Sequence, residues 1–247
     1  MEIKNKIFIV SGGANGLGKA ITLDLVDCGA RVIVIDKDQE AMRDFEKIKS
    51  VIGYKCNFLI TNEIENVFKK INIDYPIIDG LINNAGIIHS EPIFKITSIE
   101  KRHSIDTWNN VISINLSAPF ILSSYLIEKM VLNRTKGVIV NITSISSKGN
   151  VGQSAYSASK AGMESMTRVW SKELGVFGIR VFAIAPGFIE TDSMHSALSK
   201  NMKDEIRNKI PLKIFGKYSN VSKLVISCIE NDYISGSTLS VDGGLVI

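Results

Sequence analysis

The sequence predicts an α/β fold in which a doubly wound parallel sheet carries helices on both faces. Short apolar runs alternate with helical patterns along the 247 residues, as in sheets built from β-α-β units. A glycine-rich turn follows the first run, where such sheets bind nucleotides. No linker, repeat or low-complexity tract divides the chain, so we expect one domain, residues 1–247. The expected strands are residues 7–10, 32–35, 80–82, 138–142, 181–185 and 238–241, with 54–57 as a weaker candidate.

Composition and charge exclude several functional classes. Apolar residues make up 45% of the chain and charged residues 22%, which is ordinary for a folded protein. The net charge of +4 is small and scattered, so nucleic acid is not an expected partner. An anionic cofactor or an acidic acyl carrier would suit that charge, but so would chance surface charge. No apolar run approaches the roughly 20 residues of a membrane span, and residues 1–6 leave no room for a signal peptide. We therefore expect a cytoplasmic protein.

The cysteines and histidines give no sign of a metal centre. Cys28, Cys56 and Cys228 lack paired spacing and stand in apolar surroundings, which is typical of reduced core thiols. The sequence therefore predicts no metal site. Each histidine stands alone in the sequence and is expected to be inert; they are His89, His103 and His195.

The first strand runs into a glycine-rich turn that opens a helix. Gly12, Gly16 and Gly18 allow a tight turn and let the backbone approach a pyrophosphate at the helix N-terminus. Asn15 and Leu17 lie in the same turn. The spacing Gly-x-x-x-Gly-x-Gly differs from the commoner dinucleotide fingerprint, and a purely structural loop is the alternative. The preceding strand and the following helix favour nucleotide binding.

Asp36 closes the second strand and bears on the choice of nucleotide. A carboxylate at this position accepts hydrogen bonds from both ribose hydroxyls and repels a 2′-phosphate, so NAD(H) is favoured over NADP(H). Lys37 follows directly and would partly offset that repulsion, which leaves NADP(H) open. An ordinary strand-end aspartate is the alternative interpretation.

The fourth candidate strand, residues 80–82, runs into Asn83-Asn84-Ala85-Gly86. Small residues there fit the crevice in which doubly wound sheets bind ligands, although asparagine pairs also form plain turns. Residues 87–106 follow as an irregular insertion without clear periodicity. Residues 107–130 predict one helix with Asn115 in its interior, where an asparagine is usually tolerated, or else bends the helix or holds a water.

Residues 144–160 carry the strongest chemical signal. Strand 138–142 ends at Ser144, a glycine-containing loop follows, and a new helix holds Tyr156 and Lys160 on one face. A fixed ammonium favours the phenolate, so we expect Lys160 to lower the pKa of Tyr156 towards working pH. Tyr156 would then exchange a proton with an alcohol or carbonyl oxygen that Ser144 also hydrogen-bonds.

A second copy of that spacing shows that the pattern alone proves little. Ser113, Tyr125 and Lys129 repeat the intervals, but they lie within one predicted helix. At 1.5 Å per residue, Ser113 and Tyr125 would be roughly 18 Å apart and could not meet at one substrate. Only residues 144–160 have a strand, a loop and a new helix between the serine and the tyrosine.

Strand 181–185 leads into a polar segment. Pro186-Gly187 ends strand 181–185 with a turn, and Thr191 follows. Residues 188–217, rich in lysine, form either a substrate lid beyond the sheet edge or a solvated helix pair.

Taken together, these residues resemble the classical short-chain dehydrogenase/reductase family over essentially the whole chain. The resemblance implies a Rossmann-type fold with a seven-stranded parallel sheet, and NAD(P)-dependent hydride transfer between nicotinamide and a secondary alcohol or ketone. It also implies a homotetramer, with helices 107–130 and 155–175 in one interface and residues 245–247 sheltered in another. The signatures occur in the family's order: Gly12/Gly16/Gly18, Asn83–Gly86, Asn115, Ser144–Tyr156–Lys160, and Pro186-Gly187 with Thr191.

The resemblance also implies a role for each matching residue. Tyr156 would be the general acid/base, Ser144 would orient the substrate oxygen, and Lys160 would lower the tyrosine pKa and hold the nicotinamide ribose. Asn115 would support a water that links Lys160 to solvent. The other expected cofactor contacts are Gly12, Asn15, Gly16, Leu17, Gly18, Asp36, Lys37, Asn57, Phe58, Asn84, Ala85, Gly86, Pro186, Gly187, Phe188, Ile189 and Thr191.

The sequence departs from the family pattern at two positions. The usual serine lies one residue further from the tyrosine than Ser144 does, so either the loop is one residue short or Thr143 takes part. Ser144 is preferred because it follows the strand in the family's usual position, and Ser146 is a distant third. Asn57, next to Phe58, stands where an aspartate is usual; its amide oxygen is expected to accept from the adenine amino group.

The substrate class stays open at this point. Residues 186–192 and the C-terminus resemble 3-oxoacyl-(acyl-carrier-protein) reductases, whereas residues 151–160 and the 87–106 insertion resemble 3-hydroxyacyl-CoA dehydrogenases. Sugar and polyol dehydrogenases share both traits. From another class, a dinucleotide-sensing binding protein would keep the fold without the chemistry, but it has no need of an intact Ser144, Tyr156 and Lys160. A sugar-nucleotide epimerase usually needs a larger C-terminal domain.

Overall fold

The structure, a computed structural model, describes residues 1–96, 102–191 and 199–245. Seven strands form one parallel sheet in the order β3-β2-β1-β4-β5-β6-β7. The order reverses between β1 and β4, which confirms the predicted doubly wound sheet. The strands are β1 Ile7–Ser11, β2 Arg31–Asp36, β3 Val51–Lys55, β4 Gly80–Asn83, β5 Val138–Ile142, β6 Arg180–Pro186 and β7 Thr238–Val241.

Burial explains which strands the sequence revealed. Central strands are covered on both faces, so β5 is buried at every residue and its sequence is a continuous apolar run. The edge strand β3 is buried only at Val51 and otherwise alternates between half-buried and exposed residues, with Gly53 at its centre. Its expected bounds, 54–57, were therefore wrong: the strand spans Val51–Lys55, and the last bond beside its ladder runs from the Cys56 N–H to Asp36 O.

Helices cover both faces of the sheet. On one face, α3, α5 and α6 bury Phe68, Leu122 and Trp170; on the other, α1 and α8 bury Ile21 and Val225. The helices are α1 Gly16–Asp27, α2 Gln39–Met42, α3 Thr61–Asp74, α4 Ile105–Ile112, α5 Ala118–Leu132, α6 Ser154–Leu174, α7 Lys200–Lys209 and α8 Tyr218–Glu230.

The helix expected at 107–130 is continuous but not regular. It spans Ile105–Leu132, and a π turn at Ser113–Ser117 joins α4 to α5. Asn115 lies in that turn and is fully buried. The second Ser/Tyr/Lys copy is held within this helix as predicted: Tyr125 stacks on Phe68 with ring centroids 5.5 Å apart, and Lys129 donates to Asn72. It therefore forms no site.

The same helix is long and apolar enough to cross a membrane, judged by length and composition only. The sequence reading had found no run of that length, because the helix includes several polar residues. In the structure Leu122, Leu126 and Met130 pack into the core against the sheet. Phe120 and Leu132 are exposed on the opposite side.

A chain of buried polar side chains ties the middle of the sheet to two helices. Asn83 and Asn141 are register partners on β4 and β5, and the Asn83 amide donates to Asn141 Oδ1 and Ser123 Oγ, both at 2.9 Å. Asn141 in turn donates to Thr167 Oγ1 at 2.8 Å. Such directional bonds fix how α5 and α6 sit on the strand ends that carry the candidate site.

Candidate active site

The glycine turn between β1 and α1 has a backbone that side chains would not tolerate. Gly12 and Gly16 have φ of +63° and +52°, in the left-handed region. A Cβ on Gly18 would overlap the carbonyl oxygen of Gly12. Asn15 precedes α1 but does not cap it, because its amide donates to Asp38 Oδ2 at 3.0 Å. The first backbone N–H groups of α1, which include that of Leu17, therefore have no side-chain cap. Uncapped N–H groups at a helix N-terminus are what a bound phosphate needs.

Two carboxylates stand at the carboxyl end of β2. Asp36 is 8% exposed and accepts from the backbone N–H of Ala14 at 3.0 Å and of Asp38 at 3.1 Å. Asp38 caps α2 by accepting from Ala41. That bond and the Asn15 amide hold the pKa of Asp38 below its ordinary value. Lys37 between them is exposed. Sequence reasoning missed Asp38, although an aspartate immediately before a short helical run is a capping signal.

The motif after β4 fastens the glycine turn. The Asn84 amide donates to Gly12 O at 2.9 Å and Ser11 O at 3.2 Å, and the N–H groups of Asn84 and Ala85 both donate to Ser11 Oγ. Gly86 lies beside the next elements of the site. A Cβ on Gly86 would stand 3.3 Å from Asn115 Oδ1 and 3.5 Å from Lys160 Nζ.

The adenine-side residues after β3 have local structural contacts. Asn57 Oδ1 accepts from the Leu59 N–H at 3.1 Å, and the Asn57 N–H donates to Glu63 Oε2 at 2.8 Å. These bonds form the turn into α3. An adenine amino group would have to share that amide oxygen with Leu59. Phe58 is 8% exposed and packs into the core beneath the turn.

Ser144, Tyr156 and Lys160 come together at the carboxyl end of β5. Ser144 begins a 3-10 turn and accepts from the Ser146 N–H at 3.1 Å, and its side chain acts on Tyr156 in the direction that lowers the tyrosine pKa. Lys160 is 4% exposed, and its Nζ donates to Ile142 O at 2.8 Å. That Nζ lies 5.7 Å from the centroid of the Tyr156 ring.

The two alternatives to Ser144 are used elsewhere. Thr143 Oγ1 donates to the backbone oxygen of Ile184 at 3.0 Å. Ser146 follows Ser144 in the 3-10 turn and contributes its backbone N–H to the Ser144 hydroxyl. Of the three, Ser144 is the residue whose side chain acts on the pKa of Tyr156.

The pKa shifts of Tyr156 and Lys160 differ from those that the sequence predicts. Burial raises the pKa of Tyr156, and the hydrogen bond from Ser144 only partly opposes that rise. Burial also lowers the pKa of Lys160 to about 8. Both shifts have one cause, because a low-dielectric environment disfavours the charged form of either group. The expectation that Lys160 lowers the tyrosine pKa therefore needs correction: burial raises that pKa, and the influence that opposes the rise comes from Ser144.

Asn115 holds the wall next to Tyr156. Its Oδ1 accepts from the Ile87 N–H at 2.8 Å, and its Nδ2 donates to Ile87 O at 2.9 Å and Ser159 Oγ at 3.3 Å. Ile87 packs on Tyr156. The side-chain amide is thus occupied, so any water that Asn115 supports would bind its backbone carbonyl, in a turn where regular helical pairing is interrupted.

The loop after β6 is fixed at its start. Gly187 donates its N–H to Val241 O at 2.9 Å, and a Cβ there would meet Asp242 Cα at 2.7 Å. Phe188 accepts from the Gly216 N–H at 3.0 Å, while Ile189 bridges to Gly216. This pairing fixes the loop that Pro186 begins and in which Thr191 lies. Asp192 and His195 lie outside the described residues.

Three comparisons with known proteins agree with this architecture. The family model for short chain dehydrogenases matches residues 6–202. The chain is 35% identical to the 3-oxoacyl-[acyl-carrier-protein] reductase FabG of Thermotoga maritima, covering all of both chains. It is 35% identical to the FabG of Aquifex aeolicus, over 99% of this chain and 100% of that one. A solved structure of 4-hydroxyisoleucine dehydrogenase complexed with NADH superposes with a TM-score of 0.89, at 29% identity over 97% of this chain and 98% of the other.

A family-model match over residues 6–202, together with relatives at 35% identity over the whole chain, excludes a chance resemblance. The family's enzymes carry out oxidoreduction with a nicotinamide cofactor, and the solved structure with the same fold holds NADH. The chain belongs to the short-chain dehydrogenase/reductase family and is a short-chain dehydrogenase or ketoreductase.

Proposed function

We propose that the protein transfers hydride between NAD(H) and a secondary alcohol or ketone, with Tyr156 as the proton donor and acceptor. The observation that carries the proposal is the convergence of Ser144, Tyr156 and Lys160 at the carboxyl end of β5, beside Gly86. The bound nicotinamide would supply or accept the hydride at the substrate carbon. The remaining steps fall to side chains of this chain.

The proton and the hydride balance as follows. In reduction, the Tyr156 hydroxyl gives its proton to the carbonyl oxygen as the carbonyl carbon gains hydride, and a ketone becomes an alcohol. In oxidation the proton returns to the phenolate. Ser144 donates a hydrogen bond to the same oxygen and so fixes its position. The raised pKa of Tyr156 favours the protonated donor that reduction needs.

Lys160 supports this exchange as a buried cation. With a pKa of about 8, it is mostly protonated at neutral pH. A positive charge against the tyrosine ring stabilises the phenolate left after proton transfer, and its N–H groups can also hold ribose hydroxyls. The bond to Ile142 O keeps the ammonium in place.

The preference for NAD(H) rests on two acids rather than one. Asp36 ends β2 and Asp38 caps α2, so the exposed Lys37 has a negative neighbour on each side. A 2′-phosphate placed there would meet both carboxylates, whereas ribose hydroxyls would find acceptors. We infer that Lys37 does not reverse the selectivity.

A 3-oxoacyl thioester is the first substrate class to test, because the FabG relatives match the chain from end to end. A smaller polar alcohol is the second. Two observations favour it. The segment beside the site is polar, since Glu91 pairs with Lys95 and Ser90 accepts from Gln153. In addition, 4-hydroxyisoleucine dehydrogenase has the same fold. A charged wall suits a polar substrate better than an acyl chain.

The deciding experiment assays β-ketoacyl thioesters, sugars, polyols and hydroxy amino acids with both nicotinamides. We expect NAD(H)-linked turnover of at least one class, lost in Tyr156→Phe. Saturable NADH binding with no turnover across the panel would instead support the dinucleotide-sensing alternative. Near-normal turnover by Tyr156→Phe would reject the mechanism.

We also propose a cytoplasmic homotetramer. All three cysteines are free, which suits a reducing compartment. Phe120 is 52% exposed on α5 and Val169 is 46% exposed on α6, and these helices lie side by side. Burying that apolar surface against a second copy would remove it from water. Light scattering coupled to size exclusion tests this: a monomer at micromolar concentration would contradict it.

A further inference from the structure

Two histidines and a glutamate that are far apart in the sequence meet beside the catalytic loop. His89 Nε2 lies 3.4 Å from Glu91 Oε2, and His103 Nδ1 lies 3.5 Å from the same oxygen. One nitrogen or oxygen atom from each of the three residues lies within 4.8 Å of the others. We infer that His89, Glu91 and His103 form a binding site for a divalent transition metal of the Zn²⁺ class.

The distances favour a shared cation over a hydrogen-bonded cluster. An N–H···O hydrogen bond places its heavy atoms at roughly 2.7–3.2 Å, and both imidazole–carboxylate distances are longer. In a tetrahedral zinc site with metal–ligand bonds near 2.0–2.1 Å, neighbouring ligand atoms stand about 3.3 Å apart. The observed 3.4 and 3.5 Å therefore fit two edges of such a tetrahedron.

The chain also presents the right donor atoms. His89 Nε2 is buried and has no hydrogen-bond partner among the residues that the structure describes. His89 and Glu91 are two apart in an extended segment, so both side chains leave the same side of it. Antiparallel pairing of Phe94 with Arg102 brings His103 back against them. Two imidazoles and one carboxylate form a common zinc donor set, which leaves a fourth position for water or the Ser104 carbonyl.

Three existing contacts must be compatible with the metal. Lys95 Nζ pairs with Glu91 Oε1 at 2.5 Å, and Glu91 Oε2 accepts from the Ser104 N–H at 3.1 Å. A carboxylate oxygen has a second lone pair, so Oε2 can keep that bond and still bind a metal. His103 Nδ1 lies 2.9 Å from Ser104 O, so a proton there must move to Nε2 before Nδ1 can bind. The distance between the two histidine nitrogens must also shorten to that of a tetrahedron edge. Rotation of the His89 side chain would shorten it, since that side chain is 38% exposed whereas His103 is 6% exposed.

The cluster is connected to the loop that precedes Tyr156, so a bound metal would affect that loop. The Glu91 N–H donates to Gly152 O at 2.6 Å, so the cluster is attached to the loop that precedes Tyr156. Ile87, two residues before His89, is held by Asn115. A metal here would fasten residues 102–104 to residues 89–91 and stiffen the wall of the substrate crevice.

The test is a calorimetric titration of tag-free, chelator-treated protein with ZnCl₂. We expect saturable binding of one Zn²⁺ per chain, and visible absorption bands of tetrahedral Co²⁺ when CoCl₂ is used instead. Zn²⁺ should also raise the Tm. The absence of saturable Zn²⁺ binding would overturn the proposal. The readout does not depend on turnover, so it stands or falls separately from the proposed oxidoreductase function.

Variants locate the metal. Glu91→Gln and His103→Gln each remove one metal ligand and should weaken Zn²⁺ binding by more than about 100-fold. Substituting a residue that only hydrogen-bonds a metal ligand already weakens metal binding by up to about 100-fold. Glu46→Gln, at an exposed glutamate between α2 and β3, is the matched control and should bind as the wild type does. Lys95→Met should tighten binding, since the ammonium competes for the Glu91 charge. Equal losses in Glu46→Gln and Glu91→Gln would overturn the assignment.

A folding defect is separated from a lost ligand by comparing Tm values. Glu91→Gln keeps the side-chain shape, so its circular dichroism should match the wild type without metal. Its Tm should then fail to rise with Zn²⁺. A Tm rise in Glu91→Gln equal to that of the wild type would contradict the site.

Discussion

The side-chain amide of Asn84 donates to the carbonyl oxygen of Gly12 at 2.9 Å, which ties the end of β4 to the glycine turn. If that turn binds the nucleotide as proposed, Asn84 supports the cofactor site without touching the cofactor. Asn84→Ala leaves the carbonyl oxygens of Ser11 and Gly12 without this donor, a change that costs about 1–3 kcal/mol. We expect the Kd for NADH to rise about ten- to hundredfold, measured by fluorescence titration. Asn133→Ala, which removes an exposed bond to Pro76, is the control. A lower Tm with an unchanged Kd would show that Asn84 supports the fold alone.

Removing the Tyr156 hydroxyl should abolish proton transfer and leave the fold intact. We expect Tyr156→Phe to lower kcat by about 10²–10⁴ with NADH binding retained. Tyr125→Phe is the matched control, because Tyr125 has the same spacing to a lysine but packs on Phe68. Steady-state kinetics on the best substrate decide the matter, and equal losses in the two variants would contradict the assignment.

Lys160 should make stability rise with pH above neutrality. Burial lowers its pKa from 10.5 to about 8, so between these values the unfolded chain binds more protons than the folded one. Below about pH 8 the buried ammonium costs on the order of 3 kcal/mol, from the lowered pKa at 1.36 kcal/mol per pKa unit. Lys160→Met removes the charge and should abolish the rise.

Urea unfolding of both proteins, from about pH 7 to 10, measures that difference. Tyr156 and Cys56 have raised pKa values and pull stability the other way at high pH, but both proteins contain them. Their effects therefore cancel when the curves are subtracted. Parallel curves would show that Lys160 has an ordinary pKa in the folded protein.

The two acids after β2 should each contribute to the discrimination against NADPH. Asp36→Asn removes the charge that faces the ribose and should reduce the NADH preference most. Asp38→Asn should reduce it less, because its carboxylate is already occupied by Ala41 and Asn15. The ratio of NADPH to NADH dissociation constants measures both, with the exposed Asp27→Asn as control. Tighter NADPH binding by the wild type would refute this assignment.

The parts of the fold that follow from local pattern could be predicted from sequence. Buried parallel strands such as β5 are continuous apolar runs, and Tyr156 and Lys160 share a helix face by spacing alone. The edge strand β3 was misplaced because one face is partly exposed and Gly53 breaks its pattern. The π turn was not foreseen, since a single extra residue barely disturbs an apolar repeat over 28 residues.

Features that depend on tertiary contacts could not be predicted. The pKa of Tyr156 is set by how deeply α6 buries it, which spacing does not reveal. His89 and His103 each looked isolated, because 14 positions separate them in the sequence and only the pairing of Phe94 with Arg102 brings them together. Asp38 was missed because its contribution depends on the side chain of Asn15.

The π turn at Ser113–Ser117 sets the rotational phase of everything after it, because it accommodates one residue more than a regular helical turn. If the same residues rewound as regular α-helix, α5 would rotate by about 100° about its axis. Leu122 and Leu126 would then turn away from the core, and the exposed Phe120 would be carried to a different side. The wide turn thus keeps α5 packed on the sheet while Asn115 stays opposite Ile87.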